Sequence, residues 1–255
     1  MHNSIVNGAL APPPAVASDS WFRPARQRGH EHLDDPRTAG GALVLRELRD
    51  VARSNALFGG TSAVVVEVLD ALETLPASAA PVLLLDVGTG IGDIPRAAGV
   101  AAARRGIRLQ SCGVELSEAA AGAARGAATH AVCADAFHLP FADRSMALVT
   151  CSQVLHHFDG APAIALLREL NRVASHRVIV SEIRRSWLAA AGVWLASWPL
   201  GFHRHSREDG VTSVLRGFTA AELDALARSA VGTSVRALHR AGWRVTASWT
   251  PVPLT

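Results

Sequence analysis

The chain has 255 residues, 49% of them hydrophobic, which is enough to bury one sizeable core and leaves room for a flexible extension or a small cap. Its formal net charge is +3 and both signs are spread along the sequence. The pI near 9.3 therefore reflects arginine usage rather than a basic patch, and nucleic acid is not the expected partner. Three widely spaced cysteines, Cys112, Cys133 and Cys151, each in an apolar run, fit buried thiols in a reducing cytoplasm better than a disulfide framework.

Residues 1–36 mix Pro, Ala, Ser, Arg and His without a steady period and read as a disordered or loosely attached leader. No basic n-region opens the chain, and Pro12, Pro13 and Pro14 interrupt its only mildly apolar stretch, so no export signal is expected. Residues 37–255 are expected to form the folded domain. From Pro36 to Leu75, apolar positions at helical spacing (Leu43, Leu45, Leu48, Val51; then Val65, Val66, Val68, Leu69, Leu72) predict two helices joined near Phe58, Gly59 and Gly60.

After Pro81 the pattern changes to short apolar runs separated by helix-length, Ala-rich segments. The runs are Val82–Val87, Leu109–Leu116, Ala131–Ala134, Ala147–Cys151 and Arg177–Ser181. Strands alternating with helices predict a parallel sheet whose strand-end loops share one ligand-binding edge. Ser234–Leu238 and Trp243–Trp249, linked through Gly242, read as a closing antiparallel hairpin. The apolar stretch Trp187–Phe202 is too short and too interrupted to span a bilayer.

The segment LLLDVGTGIGD, residues 83–93, runs a strand into Asp86 and then places glycines at 88, 90 and 92. Glycine permits tight turning and close approach of a ligand to the backbone. Asp93 is a plausible N-cap and Pro95 suits a first helical turn. A dinucleotide-binding G-x-G-x-x-G/A fingerprint would need Gly or Ala at 93, and Asp93 stands there instead. Glu115, 27 residues after Gly88, closes the second strand where a ribose-binding acid is expected, with Ser117 able to cap the next helix. Taken alone, a strand-end Glu is more often a solvated charge. Asp135, after the third run, can accept from an adenine amine while Leu116, Ala136 and Phe137 line the ring; the alternative is a turn residue.

In this order, DVGTGIGD, VELS, CADAFHLPFADRSMALVTCSQVLHHF and LRELNRVASHRVIVSE resemble the successive motifs of class I S-adenosylmethionine-dependent methyltransferases, over about residues 80–185. The last segment is similar to methyltransferases of quinone biosynthesis and bacterial natural-product pathways. The resemblance implies a Rossmann-like α/β fold: seven strands, mostly parallel, helices on both faces, and an antiparallel last strand. It implies S-adenosyl-L-methionine as cofactor, with Asp86, Gly88, Thr89, Gly90 and Gly92 at its methionine part. Glu115 would meet the ribose hydroxyls, Asp135 the adenine amine with Leu116 and Ala136 along its ring, and Ser152 and Gln153 the sulfonium. The chain departs from the family at Ala174, Ser175 and His176, where a Lys-Pro-Gly-Gly-type turn is usual. A cap over the acceptor is implied around 184–216.

Methyl transfer from a sulfonium is an in-line displacement that needs positioning and, for a phenol, a base; no metal is required. His156 and His157, just after the fourth strand, are the candidate catalytic bases, the alternative being that they cap the strand or pack beneath the loop. His203, His205 and Asp209 read as a solvated or substrate-facing loop rather than a metal site. Trp187, Trp194 and Trp198 fall on one helical face and read as core, or else as pocket lining, with a membrane contact less expected. Arg184 and Arg185 are solvated or reach this region, while Asn55 and Phe58 cover the cofactor from the other side.

The expected function is methylation of a small, largely apolar acceptor in the cytoplasm, O-methylation of an aromatic or polyketide-like molecule ahead of C-methylation of a quinone-type ring. A cofactor-binding regulatory or scaffolding protein without turnover is the alternative from another class. A nicotinamide oxidoreductase is disfavoured, since position 93 is not glycine and the chain has no Tyr for a Tyr/Lys pair. No nucleic acid and no stable membrane insertion are expected; a homodimer is an open possibility.

Overall fold

The structure, a computed structural model, describes residues 23–32, 41–76, 80–233 and 235–253. Two helices lead, α1 (Gly41–Leu57) and α2 (Gly60–Glu73). Gly59, at φ 78°, makes the turn between them, where a Cβ would lie 2.7 Å from the Ala241 carbonyl oxygen. There follow β1 (Val82–Val87), α3 (Asp93–Ala103), β2 (Leu109–Glu115), α4 (Glu118–Ala124), β3 (His130–Cys133) and β4 (Met146–Ser152). A 3-10 turn, Leu155–His157, leads to α5 (Gly160–Val173), β5 (Ala174–Ile183), α6 (Trp187–Ser197), α7 (Arg204–Arg216) and α8 (Ala220–Val231). The hairpin β6 (Ala237–Arg240) and β7 (Arg244–Trp249) closes the fold.

The sheet order is β3-β2-β1-β4-β5-β7-β6. Strands β1 to β5 are parallel, β7 runs antiparallel to β5, and β6 pairs antiparallel with β7. This is the Rossmann-like mixed sheet expected. Alternation along each strand feeds two cores. Leu84, Leu148 and Ile179 face α2 and α3 through Val64, Val68, Ile94 and Ala98. Leu85, Val87, Val149, Val178 and Val180 face α5 and α8 through Leu166, Leu170, Leu223 and Ala227. With both faces covered, the strands read as continuous apolar runs. The polar strand ends are left to the one edge where the loops after β1, β2, β3 and β4 gather.

Several boundaries differ from expectation. Ala174, Ser175 and His176 form no separate turn: α5 passes directly into β5, and Met146 pairs with Ala174 across a register shift. The hairpin is shorter than expected, with Gly242 (φ 72°) and Trp243 (φ 55°) turning its tip, and Ser234 lies outside the described residues. Of the three thiols only Cys151 is buried; Cys112 is half-buried and Cys133 exposed, because the short outer strand β3 has only one neighbour.

Residues 1–22 and 33–36 of the expected leader lie outside the described residues, but 23–32 depart from a loose attachment. Their backbone carries almost no regular structure, so side chains hold them down. Arg26 pairs with Asp159 and lies 4.3 Å over the Phe218 ring, Arg185 Nε donates to the Pro24 carbonyl at 2.9 Å, and Gln27 N–H donates to the Leu215 carbonyl at 3.1 Å.

Candidate active site

The loop after β1 is built around positive-φ glycines. Gly88 (φ 71°) and Thr89 donate their N–H groups to the Val114 carbonyl of β2, at 2.9 and 3.1 Å, which pins the loop to the neighbouring strand. A Cβ on Gly88 would lie 2.2 Å from Val154 Cγ2. Gly92 (φ 78°) is the N-cap of α3, so Asp93 is the first helical residue rather than the cap expected of it. The Asp93 carboxylate accepts from Asn55 Nδ2 and Thr61 Oγ1, each at 3.4 Å, tying α1 and α2 to the loop. Ser117 is the N-cap of α4, although its side chain makes no cap hydrogen bond.

Asp86 sits beneath this loop, 1% exposed, with Oδ1 accepting from Thr150 Oγ1 at 2.6 Å and Oδ2 lacking a partner. Burial pushes its carboxyl up to about 7; the hydrogen bond from Thr150 opposes the rise, and the charges of Asp93 and Glu115 add to it. Glu115 accepts the Gly90 N–H at 2.5 Å, so the second strand's acid does reach the glycine loop. Burial raises its carboxyl, against hydrogen bonds from Gly90 and Leu116. Asp135 is half-exposed and forms an Asx turn, accepting from Phe137 N–H at 2.9 Å and contacting His138 Nδ1 at 3.1 Å. Those bonds lower its carboxyl pKa.

A single open cleft of about 1060 Å³ runs along this edge. Gly88, Thr89, Gly90, Glu115, Leu116, Asp135, Ala136, Ser152, Gln153, His156 and His157 all line it. Asp86 and Gly92 stand behind its wall. Gln153, a non-glycine residue at φ 57°, turns back to hydrogen-bond Asn55 of α1, and Asn55 and Phe58 line the cleft opposite the sheet. Strain of this kind persists where the surroundings hold it.

The two histidines part company. His156 is buried between two carboxylates: Nδ1 lies 2.8 Å from Glu182 Oε2 and Nε2 3.4 Å from Glu31 Oε1. Burial alone would lower its pKa, but the charges and hydrogen bonds of Glu182 and Glu31 outweigh burial and raise it to about 9. The two carboxylates thus favour the imidazolium form of His156, which has no free lone pair to accept a proton. His157 is a fifth exposed, stacks beside His156 with ring centroids 4.4 Å apart, and has Nε2 3.9 Å from Glu31 Oε2. Glu31, 5% exposed, also accepts from Ser213 Oγ at 2.9 Å and Arg216 Nη1 at 3.3 Å. It reaches the site from a segment with no periodicity or motif, so no sequence signal could have found it.

The far half of the cleft is walled by α6, α7 and the link between them through Leu188, Ala189, Gly192, Val193, Phe202 and Val214. The three tryptophans are neither core nor pocket lining. Trp187, Trp194 and Trp198 are 49%, 40% and 58% exposed on the outer face of α6, with Arg207 stacked 4.0 Å over Trp198. His203 and His205 are not in a loop: His203 is the N-cap of α7, and both rings approach the buried Glu47 carboxylate of α1, at 3.6 and 3.1 Å. Asp209 lines the cleft. Arg185 is buried, donating to Glu222 and to the Gly217 carbonyl, whereas Arg184 meets His239 at 3.3 Å.

Residues 85–180 match a family model described as a methyltransferase domain. The matched segment makes this stretch a methyltransferase domain, an enzyme domain that uses S-adenosylmethionine, on a Rossmann-like fold. Among solved structures it is similar to a protein provisionally named an O-methyltransferase from Nostoc punctiforme PCC 73102. That match has 16% identity and a TM-score of 0.58, covering 88% of this chain and 64% of the other. A second is NcsB1, an O-methyltransferase of neocarzinostatin biosynthesis solved with S-adenosylmethionine and 2-hydroxy-5-methyl naphthoic acid. It is 24% identical with a TM-score of 0.51, covering 80% of this chain and 56% of that one. A third, from Haloferax volcanii, was solved in complex with the Trm112 methyltransferase activator; it has 14% identity and a TM-score of 0.52, covering 88% and 99%. No curated protein matches the sequence.

The residues present fit the cofactor. Thr89 Oγ1, Ser152 Oγ and Asp86 Oδ2 are buried polar atoms without partners, gathered at the ends of β1 and β4, and a Cβ at Gly90 would meet only Leu48, at 3.7 Å. Among the described residues no single helix is long and apolar enough to cross a membrane.

Proposed function

We propose that the protein methylates a small, largely apolar acceptor on a hydroxyl oxygen, the acceptor being an aromatic or polyketide-like molecule. The observation that carries this is the continuity of the cleft. One end is built of glycine backbone and carboxylates, the other of apolar helix faces, and its 1060 Å³ exceeds the ~300–1,000 Å³ usual for one small ligand. In this reading Gly88, Thr89, Gly90 and Ser152 hold the methionine part of the cofactor, with Asp86 and Gly92 supporting the loop from behind. Glu115 takes the ribose hydroxyls. Asp135 offers a carboxylate lone pair to the adenine amine, with Leu116, Ala136 and Phe137 along the ring and Gln153 beside the methyl group.

When bound, the cofactor supplies an electrophilic methyl on a sulfonium. The chain's own work is to align the acceptor, exclude water and take up a proton. Helices α6 and α7 cap the acceptor, and residues 23–32 lie along the same rim. His157, on the cleft wall, is the group in reach of an acceptor hydroxyl; His156 holds the neighbouring charges in place. NcsB1, solved with a hydroxynaphthoic acid on a related fold, is a precedent for an aromatic ligand beside the cofactor. The unpaired thiols, with Cys133 exposed, suit a reducing cytoplasm.

Isothermal titration with S-adenosylmethionine, S-adenosylhomocysteine and NAD tests the cofactor half. Micromolar binding of the two sulfur nucleotides and none of NAD is expected. Incubation with labelled cofactor and a panel of phenols, enols and quinols then reads the methylated atom by mass spectrometry. Exclusive carbon methylation would reject the oxygen assignment, and binding without turnover across the panel would favour a regulatory role.

A further inference from the structure

Three arginines line the cleft among the described residues, and two are already paired. Arg28 lies 3.4 Å from Asp159, and Arg216 lies 3.3 Å from Glu31. Arg244 is different. It is 4% exposed, its Nε donates to the Phe58 carbonyl at 3.3 Å, and its Nη1 is buried with no hydrogen-bond partner. The carboxylate whose charge acts on it is Glu182, whose two oxygens are already engaged by Leu155 N–H and His156 Nδ1, each at 2.8 Å. A buried guanidinium with an idle arm is costly to maintain, and it lines a cleft that admits ligand.

Arg244 opens β7 opposite Ile183, at the end of β5, and β7 lies three strands from β1. Neighbouring strands are ~4.8 Å apart, so roughly 14 Å separates its strand from the one that carries the glycine loop. Its surroundings there, Phe58, Ile183 and Trp243, are largely apolar and suit the body of an aromatic ring. A planar guanidinium fork in such a setting matches a carboxylate or an ionised phenol.

We infer that Arg244 is an anion-binding residue of the cleft, its unbonded arm taking the carboxylate or phenolate-type oxygen of a molecule bound there. Its place on β7 assigns that molecule to the acceptor side, so the acceptor is acidic as well as apolar, an assignment that rests on the methyltransferase reading. The same chemistry could come from the cofactor's own methionine carboxylate, and the two sources separate by experiment.

The test compares the full chain with Arg244→Met and Arg244→Lys. Calorimetry would follow S-adenosylhomocysteine first, then 1-naphthoate and its neutral carboxamide on protein saturated with S-adenosylhomocysteine. Met should fold with an equal or higher Tm, since an uncompensated buried charge is removed. It should bind S-adenosylhomocysteine within twofold of wild type, and 1-naphthoate at least about 10-fold more weakly, with the carboxamide unaffected and Lys intermediate. Weakened S-adenosylhomocysteine with unchanged 1-naphthoate would keep the anion site but assign it to the cofactor. Equal affinities of wild type and both variants for both anions would overturn the inference. Should Met not fold, a wild-type protein that binds naphthoate no better than the carboxamide would overturn it equally. Failure of wild type to bind S-adenosylhomocysteine strikes the cofactor assignment instead, and the naphthoate comparison is then read on the free protein.

Discussion

Replacing Glu182 by Gln removes the charge that most strongly holds a proton on His156. In the native protein that imidazolium lies 2.8 Å from Glu182 and 3.4 Å from Glu31, and its pKa stands at about 9. The unfolded chain releases the same proton near the ordinary value of 6.5. The native state therefore binds more protons between those values, and stability falls as pH rises through that window. For a single group moving from 6.5 to about 9, the contribution is fully present below pH 6.5, and about 2 kcal/mol of it is lost between pH 7 and 9.

Gln keeps an oxygen for the Leu155 N–H and turns an amide donor toward His156 Nδ1, which favours neutral imidazole. Urea denaturation of wild type and Glu182→Gln at pH 7, 8 and 9 would read the difference. Wild type should lose stability by about that amount, and the variant should be less stable at pH 7 with a much flatter profile above it. Asp86, whose carboxyl stands at about 7, contributes to both profiles alike and drops out of the comparison. Direct titration of His156 by nitrogen-detected NMR would refute the reasoning if the ring loses its proton near pH 6.5, as would identical slopes for the two proteins.

Gly90→Asp should abolish S-adenosylmethionine binding by calorimetry, since it sets a carboxylate at φ 58° in the cradle beside Glu115; wild-type affinity would reject the loop as the cofactor site. Glu31→Ala should leave His156 and Arg216 facing one fewer carboxylate and release residues 23–32, seen as faster limited proteolysis there. Trp194→Ser on the outer face of α6 should change stability by only ~0.5 kcal/mol, whereas Trp249→Ala in the core should cost ~3–5 kcal/mol. Comparable losses at the two positions would contradict the placement of α6. His157→Ala should lower turnover far more than cofactor affinity, and an unchanged rate would exclude it as the base.

The parts of the site that were legible in the sequence are local ones. A strand running into Asp86 and three alternate glycines states its own geometry, because strand alternation and positive φ are properties of neighbouring residues, and β1 occupies the expected Val82–Val87. The right-handed crossover rule then carries Glu115 and Asp135 to the same edge without further information. The helix pair before β1 and the closing hairpin were readable for the same reason.

What only the tertiary structure decided are pairings between residues distant in the chain. Helix α6 is apolar on every side, so its sequence could not say that Ala189 and Val193 turn inward while three tryptophans turn out. Nothing near His156 announces that Glu31 and Glu182 flank it, yet those two charges are what raise its pKa. Arg244 is one of many arginines until folding buries it beside the cleft with an unbonded arm. Periodicity and turn chemistry determine which segments form which elements; charge state and exposure depend on which neighbours arrive, and long-range packing alone brings them.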